Sequence, residues 1–77
     1  MSAVLPLLKP RLILRALLRA VFFVNDQSGS HAQLRHPIKT HLRVTVPRHD
    51  RFDIARPVLR SILRQAEMSV EEFLETL

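Results

Sequence analysis

The chain has 77 residues, enough for one small hydrophobic core but not for a multidomain enzyme. It contains no cysteine, which excludes a disulfide framework, a thiolate zinc site and a cysteine nucleophile. Its 12 Lys and Arg against 7 Asp and Glu give a formal charge of +5, so a polyanion is the first partner to consider.

Basic residues are unevenly distributed along the chain. All 12 Lys and Arg lie at or before Arg64, against three Asp, and give residues 1–64 a net charge of +9. The last 13 residues carry four Glu and no base, a net charge of −4. Ten of the 12 bases are Arg, whose planar guanidinium favours forked contacts to phosphate. The first 64 residues are therefore more basic than the total charge suggests.

The first predicted element is a helix over residues 10–20, which follows an apolar lead-in at residues 1–8. Pro10 suits the first helical position, where no backbone N–H is needed. The side-chain spacing predicts a basic stripe and, opposite it, a stripe that faces the core. The basic stripe is Arg11, Arg15 and Arg19, and the core stripe is Ile13, Ala16, Leu17 and Ala20.

The apolar stretch at residues 3–24 does not predict a membrane span. Lys9 and three Arg interrupt it, whereas a spanning helix needs about 20 apolar residues in succession. A secretory signal would place its charges before the apolar stretch, although an organelle transit peptide agrees with the Arg-rich, acid-free first 25 residues. We expect a cytoplasmic protein that does not contact a membrane.

Three short strands are predicted next, over residues 21–25, 30–36 and 41–46. The first is β-branched and aromatic, and the other two alternate apolar with polar residues. Gly29, the only glycine in the chain, lies in the first turn, and Pro47 ends the third strand. The short connections favour an antiparallel sheet with one solvent-exposed face. The residues expected to face the helices are Ala32, Leu34, Leu42, Val44 and Val46.

Two helices complete the predicted chain, over residues 55–66 and 70–76. The core face of the longer helix is Leu59, Ile62, Leu63 and Ala66. Ser69 and Glu72 have the spacing of a capping box at the start of the shorter helix. The prediction is therefore one α+β domain over residues 1–77, with the order α-β-β-β-α, a three-stranded antiparallel sheet packed on helices, and a short C-terminal helix.

Four segments of the chain occur in an order and spacing characteristic of a known family. They are Gly29-Ser30-His31, residues 43–49, residues 59–66 and residues 69–74. The beginning of the first helix and the start of the first strand match as well. Together these segments resemble the HicA toxin family, also called YcfA-like, and the resemblance covers residues 8–77.

The resemblance implies a fold like that of a double-stranded-RNA-binding domain. It also implies a toxin that cleaves mRNA, with His31, the histidine of the Gly-Ser-His motif, as the catalytic residue. A HicB-type antitoxin would bind the toxin and occlude that histidine. No cofactor is implied.

The chain differs from the family at positions where the family usually has glycine. These are Val21 before the first strand, the turn at residues 38–40, Val58 in the second helix and Glu67 at its end. The left-handed backbone conformation that often follows the end of a helix costs about 1 kcal/mol when the residue is not glycine. We therefore expect the second helix to end differently at Glu67.

His31 is the candidate for acid–base chemistry. RNA cleaves when its 2′-hydroxyl attacks the adjacent phosphate, which requires a base and an acid. A histidine with a reference pKa near 6.5 can serve as either at neutral pH. On an alternating strand His31 points away from Ala32 and Leu34, and so toward the exposed face. The alternative is that His31 is an ordinary solvated strand residue.

Further candidates for RNA binding surround His31 in the sequence. Gly29 permits close backbone approach to a phosphate, the Ser30 hydroxyl can donate to one, and arginines supply positive charge. The predicted RNA-binding residues are Gly29, Ser30, Arg35, Arg43, Arg48, His49, Arg60 and Arg64. No metal site is predicted, because the four histidines lack ligand spacing. The alternative function is a non-catalytic RNA-binding or partner-binding domain that retains the fold.

The first half of the chain has more apolar side chains than one core needs. Phe22 and Val24 are already expected to fill the core in this region. Leu12, Leu18 and Phe23 are additional, and they stand where HicA-like sequences usually carry charged or polar residues. Large exposed apolar patches are rare on soluble monomers. Either the lead-in folds back over the first helix, or Leu12, Leu18 and Phe23 form an interface with a second copy or an antitoxin.

Overall fold

One helix, three strands and two further helices follow one another in the computed structural model of the protein, which describes residues 4–77. They are α1 (Pro10–Arg19), β1 (Phe23–Ser28), β2 (His31–Arg35), β3 (Arg43–Pro47), α2 (Arg56–Ala66) and α3 (Val70–Glu75). The strands form an open antiparallel sheet in the order β1-β2-β3, which confirms the predicted α+β fold. Within the described residues, no helix has the length and apolar character that crossing a bilayer requires.

The hydrophobic core lies between the helices and one face of the sheet. The inward side chains predicted on β2, β3 and α2 are all buried, as are Ile13, Ala16 and Leu17 of α1. Phe73 of α3 is fully buried and closes one end of the core. The alternation and the helical spacing therefore identified the covered face of each of these elements correctly.

The first strand differs from its prediction. It runs over Phe23–Ser28 rather than residues 21–25, because Val21 and Phe22 complete the end of α1. Residues 26–28, which lie outside the predicted strand, instead pair with β2, and the register shifts at Asn25, between Val24 and Asp26. The connection shrinks to Gly29 and Ser30. Gly29 has φ +57, as a two-residue hairpin with glycine in its first position requires.

Val24 does not join the core as expected. It lies opposite Leu34 in the sheet, yet it is 43% exposed, and all six residues of β1 are exposed. The reason is that β1 is an edge strand, while α1 and α2 pack mainly against β3 at the opposite edge. The helices therefore leave β1 uncovered.

Both longer helices end in a Schellman motif without glycine. After α1, Val21 has φ +66, and the Phe22 N–H donates to the Leu17 carbonyl at 3.0 Å. After α2, Glu67 has φ +53, and the Met68 N–H donates to the Leu63 carbonyl at 3.0 Å. The expectation that α2 would end differently at Glu67 is therefore wrong. Phe22 and Met68 pack on the core just after each turn, and this burial holds the left-handed residue in place.

Residues 4–9, named the N-terminal strap here, run along the segment that precedes α2. The Ile54 N–H donates to the Leu8 carbonyl at 2.8 Å, and Arg56 Nε donates to the Leu5 carbonyl at 2.7 Å. Leu5 is buried and adds to the core. The described part of the apolar lead-in thus folds back, with its recorded hydrogen bonds to Ile54 and Arg56. Its residues 1–3 lie outside the described residues.

The predicted capping box at α3 is present. The Glu72 N–H donates to Ser69 Oγ at 3.0 Å, and the Ser69 N–H donates to Glu72 Oε1 at 3.1 Å. The Ser69 backbone N–H lowers the pKa of the Glu72 carboxyl, with a further contribution from the Ser69 side chain. Because the folded-state pKa lies below the unfolded one, this stabilisation is complete at neutral pH and is lost as the pH falls through the folded pKa.

Candidate active site and nucleic-acid interface

His31 is the first residue of β2 and follows the two-residue hairpin turn directly. Its Cα partners are Ser28 on β1 and Pro47 on β3, so it occupies the central strand at one end of the sheet. The side chain is exposed, while Ala32, the next residue, is fully buried. His31 therefore projects from the face of the sheet that the helices leave open, as the sequence predicts.

Ser30 links His31 to the end of β3. Its Oγ lies 3.4 Å from His31 Nδ1, and its carbonyl accepts a hydrogen bond from the Arg48 N–H. The turn and the segment after β3 are thus tied together beside the histidine. With a hydroxyl beside Nδ1, Nε2 is the ring nitrogen that remains for other partners.

Residues directly opposite one another on neighbouring strands share a face of the sheet. The register therefore defines three rows on the uncovered side, named the open face here. The rows are Ser28–His31–Pro47, Asp26–Gln33–Thr45 and Phe23–Arg35–Arg43. A hydrogen bond of 2.9 Å from Thr45 Oγ1 to Gln33 Oε1 joins the middle row. The open face thus has a histidine at one end and two arginines at the other.

The two arginines of the open face are in different situations. Arg35 Nη2 donates to the Thr40 carbonyl at 2.8 Å, which fastens the connection between β2 and β3. Arg43, directly opposite on β3, is exposed to solvent. Of the two guanidinium groups, that of Arg43 is therefore the more accessible to a ligand.

Arg48 is held in a forked ion pair with Asp50. Its Nε and Nη2 donate to the two carboxylate oxygens, each at 2.8 Å. The Asp50 carboxylate raises the pKa of Arg48, and the Arg48 guanidinium lowers the pKa of Asp50 through the same hydrogen bonds. The sequence prediction missed Asp50. The signal was the spacing of a base and an acid two residues apart in a loop.

Arg60 and Arg64 are not brought together with His31. Both are exposed on α2, which packs against β3 on the covered side of the sheet. Contacts from these residues to RNA would require a second surface or a ligand that extends around β3. That edge is occupied in part by Gln65, whose Oε1 accepts from the Thr45 N–H at 2.8 Å.

The other histidines are divided between the two ends of the sheet. His36 Nδ1 accepts from the Ile38 and Lys39 N–H groups, and His41 Nε2 lies 3.2 Å from Glu67 Oε2. Both belong to the end opposite His31. His49 is exposed in the loop after β3, at the end where His31 lies. No three His, Cys, Asp or Glu side chains cluster anywhere in residues 4–77.

A cavity of about 250 Å³ adjoins this end of the sheet. It lies between the N-terminus of α1, the loop after β3 and the start of α2. Its walls include Pro10, Pro47, Phe52, Ile54 and Val58, with His49 among the polar residues. Pro47 lines the cavity and is also the Cα partner of His31. Of these residues, only His49 was predicted from the sequence to contact a ligand.

The residues predicted as a partner interface differ in exposure. Leu18 and Phe23 are 50% and 43% exposed, but Leu12 is half-buried. Leu12 and Leu18 are six residues apart on α1, which separates them by about 120° around the helix axis. Val21, 57% exposed, lies between Leu18 and Phe23 in the chain. We name Leu18, Val21 and Phe23 the apolar patch.

The chain also matches a known protein family. A family model described as the HicA toxin of bacterial toxin–antitoxin systems matches residues 11–68. The matched range contains α1 except its first residue, Pro10, together with the complete sheet and α2. No curated protein matches the chain.

Proposed function

We propose that this chain, which belongs to the HicA toxin family, acts as an endoribonuclease that cleaves mRNA in the cytoplasm. Membership of the family gives it the role of a toxin with an antitoxin partner. The observation that carries the proposal is His31, exposed at the end of the open face beside the Gly29-Ser30 turn. The position of this histidine on the open face, which the helices leave uncovered, supports a role in contact with a ligand.

The proposed reaction is an internal transesterification. A base removes the proton from a ribose 2′-hydroxyl, whose oxygen attacks the adjacent phosphorus. The bond from phosphorus to the 5′-oxygen breaks, and an acid protonates that oxygen. The products are a 2′,3′-cyclic phosphate and a 5′-hydroxyl end. His31 Nε2 acts as the general base or acid, a role that needs no metal ion and contributes typically ~10²–10⁴-fold to the rate.

The groups around His31 fit the charge that develops in this reaction. The Ser30 hydroxyl and the exposed backbone at Gly29 are donors for phosphate oxygens. Arg48 lies just beyond β3 and is tied to Ser30 through its backbone. Its partner Asp50 holds the guanidinium in a fixed position but offsets part of its charge. Arg48 therefore acts more as an oriented donor than as a free cation.

RNA affinity is expected to fall steeply with salt, because phosphate contacts release counterions. If Arg43 and Arg48 each meet one phosphate, the double variant Arg43→Gln/Arg48→Gln flattens the log–log salt dependence by roughly 1.4 units on single strands and 1.8 on duplexes. Fluorescence anisotropy across a salt series measures this slope. The matched pair Arg60→Gln/Arg64→Gln tests the helical side of the molecule. An unchanged slope for the first pair would remove Arg43 and Arg48 from the contact surface.

The apolar patch is proposed as part of the antitoxin interface. The double variant Leu18→Glu/Phe23→Glu is expected to weaken antitoxin binding at least tenfold without unfolding the toxin, since both side chains are about half exposed. Calorimetry with the antitoxin encoded beside the toxin gene measures the affinity, and light scattering tests whether the patch instead joins two copies of the chain. Ile38→Glu, at a position 82% exposed in the turn at residues 36–42, is the control. Unchanged affinity and an unchanged oligomeric state would rule out an interface at this patch.

A further inference from the structure

We propose that the cavity beside His31 binds one unpaired nucleobase of the RNA substrate, stacked on the ring of Phe52. The inference rests on the proposed action on RNA. It adds a binding position for a base immediately beside the proposed cleavage site.

Phe52 presents an aromatic ring on an ordered loop. The ring residue is 65% exposed, although it also lines the cavity. The Phe52 N–H donates to the His49 carbonyl at 2.9 Å, which closes a tight turn over residues 49–52. The exposed ring offers a flat apolar surface. Because the turn already restricts the backbone, little conformational entropy is lost when a partner binds to it. Proteins recognise unpaired RNA bases by stacking them on such rings.

The N-terminal strap is bonded to two residues that line the cavity. Lys9 Nζ lies 3.1 Å from Asp53 Oδ1, and the Ile54 N–H donates to the Leu8 carbonyl. Two residues that follow Phe52 in the chain are therefore fastened to the strap. Pro10 and Val58 supply further apolar wall, and His49 and Asp53 add polar groups at the cavity. Flat apolar surface with a few polar groups suits a base, which has apolar faces and polar edges.

The charge around the cavity favours a polyanion. The Arg51 guanidinium lies 6.0 Å from the centre of the Phe52 ring, and both Arg11 and Arg48 are close enough to Asp50 to lower its pKa. Asp50 is paired with Arg48 and Asp53 with Lys9, which leaves Arg11 and Arg51 as the excess positive charge here. The backbone phosphates on either side of a bound base would meet this positive charge.

The position of the cavity distinguishes RNA from other anionic partners. Pro47 lines the cavity and lies opposite His31, and Cα atoms of such neighbours are about 4.5–5.5 Å apart. A base held on Phe52 would therefore belong to a nucleotide next to the phosphate that reaches His31. Its bound position would help to align that phosphate. The cavity is accordingly a positioning and base-selecting site for the cleavage reaction.

The test measures binding of a single-stranded oligoribonucleotide to protein that carries His31→Ala, so that cleavage does not interfere. In this background Phe52→Ala is expected to weaken binding about 5- to 150-fold, the range observed for loss of one base–aromatic stack. Phe52→Tyr retains the ring and should restore most of the affinity. Ile38→Ala removes an even more exposed apolar side chain elsewhere and should have no effect. Equal melting temperatures would show that all variants are folded.

An abasic scan of the oligonucleotide identifies the base. One abasic position should weaken binding by the His31→Ala protein, and the same position should have little further effect when Phe52→Ala is also present. That coupling supports the base site. Failure of the protein with His31 intact to cleave RNA would contradict the proposed nuclease function but not the base site. Equal RNA affinity with and without the Phe52 ring would overturn the base site. Loss of antitoxin binding without loss of RNA binding would assign the cavity to the protein partner and would also overturn it.

Discussion

Replacement of His31 by alanine is expected to lower the rate of RNA cleavage by about 10²–10⁴-fold, which is the usual contribution of a positioned general acid or base. The melting temperature should barely change. The side chain is exposed on the open face, and its one recorded contact is the 3.4 Å approach of Ser30 Oγ. Surface substitutions without further contacts usually change stability by no more than about 0.5 kcal/mol. The effect should therefore appear in catalysis and not in folding.

The matched control is His41→Ala. His41 is also exposed, but it lies at the other end of the sheet, 3.2 Å from Glu67. Cleavage of a labelled RNA by the purified proteins, together with circular dichroism melting curves, separates the two positions. Growth arrest on induction of each variant provides the test in cells. Cleavage by the His31→Ala protein at the wild-type rate would show that another residue is catalytic.

Replacement of Val21 by glycine is expected to stabilise the fold by about 1 kcal/mol and to raise the melting temperature by about 4–8 °C. Val21 has φ +66, a conformation that a β-branched residue rarely adopts and that costs about 1–3 kcal/mol. Glycine removes this strain. The greater freedom of glycine in the unfolded chain offsets part of the gain. Because Val21 is 57% exposed, little packing is lost with its side chain.

Val58→Gly is a control that makes the same chemical change at a second position where the HicA family usually has glycine. Val58 lies within α2 and has no positive φ, so glycine there should destabilise the protein by about 0.5–1 kcal/mol. Glu67→Gly should stabilise less than Val21→Gly, because Glu67 is unbranched at Cβ and its ion pair with His41 would be lost. If Val21→Gly lowered the melting temperature while Val58→Gly behaved as expected, Val21 would not be a strained residue.

The sequence by itself determined the order of the elements, the inward faces of β2, β3 and α2, and the capping box at Ser69. Each of these depends on local spacing: a period of two in a strand, a period of 3.6 in a helix, and a separation of three residues in the cap. It also directed attention to His31, because a strand that buries Ala32 and Leu34 must turn the residues between and beside them to the other face. The family resemblance, now confirmed by the match over residues 11–68, rests on the same local segments.

Only the tertiary structure decided where β1 begins and which residues of it are covered. Val24 has the composition of a core residue, but its burial depends on whether a helix extends as far as the edge strand. The pairing of Arg48 with Asp50 and the cavity beside Phe52 likewise depend on how the loop after β3 closes against the N-terminal strap. These contacts join residues that are distant in the chain or lie in irregular segments. Such segments have no periodic pattern from which the contacts could be predicted. The open face, the strained helix end and the cavity beside His31 are therefore products of packing.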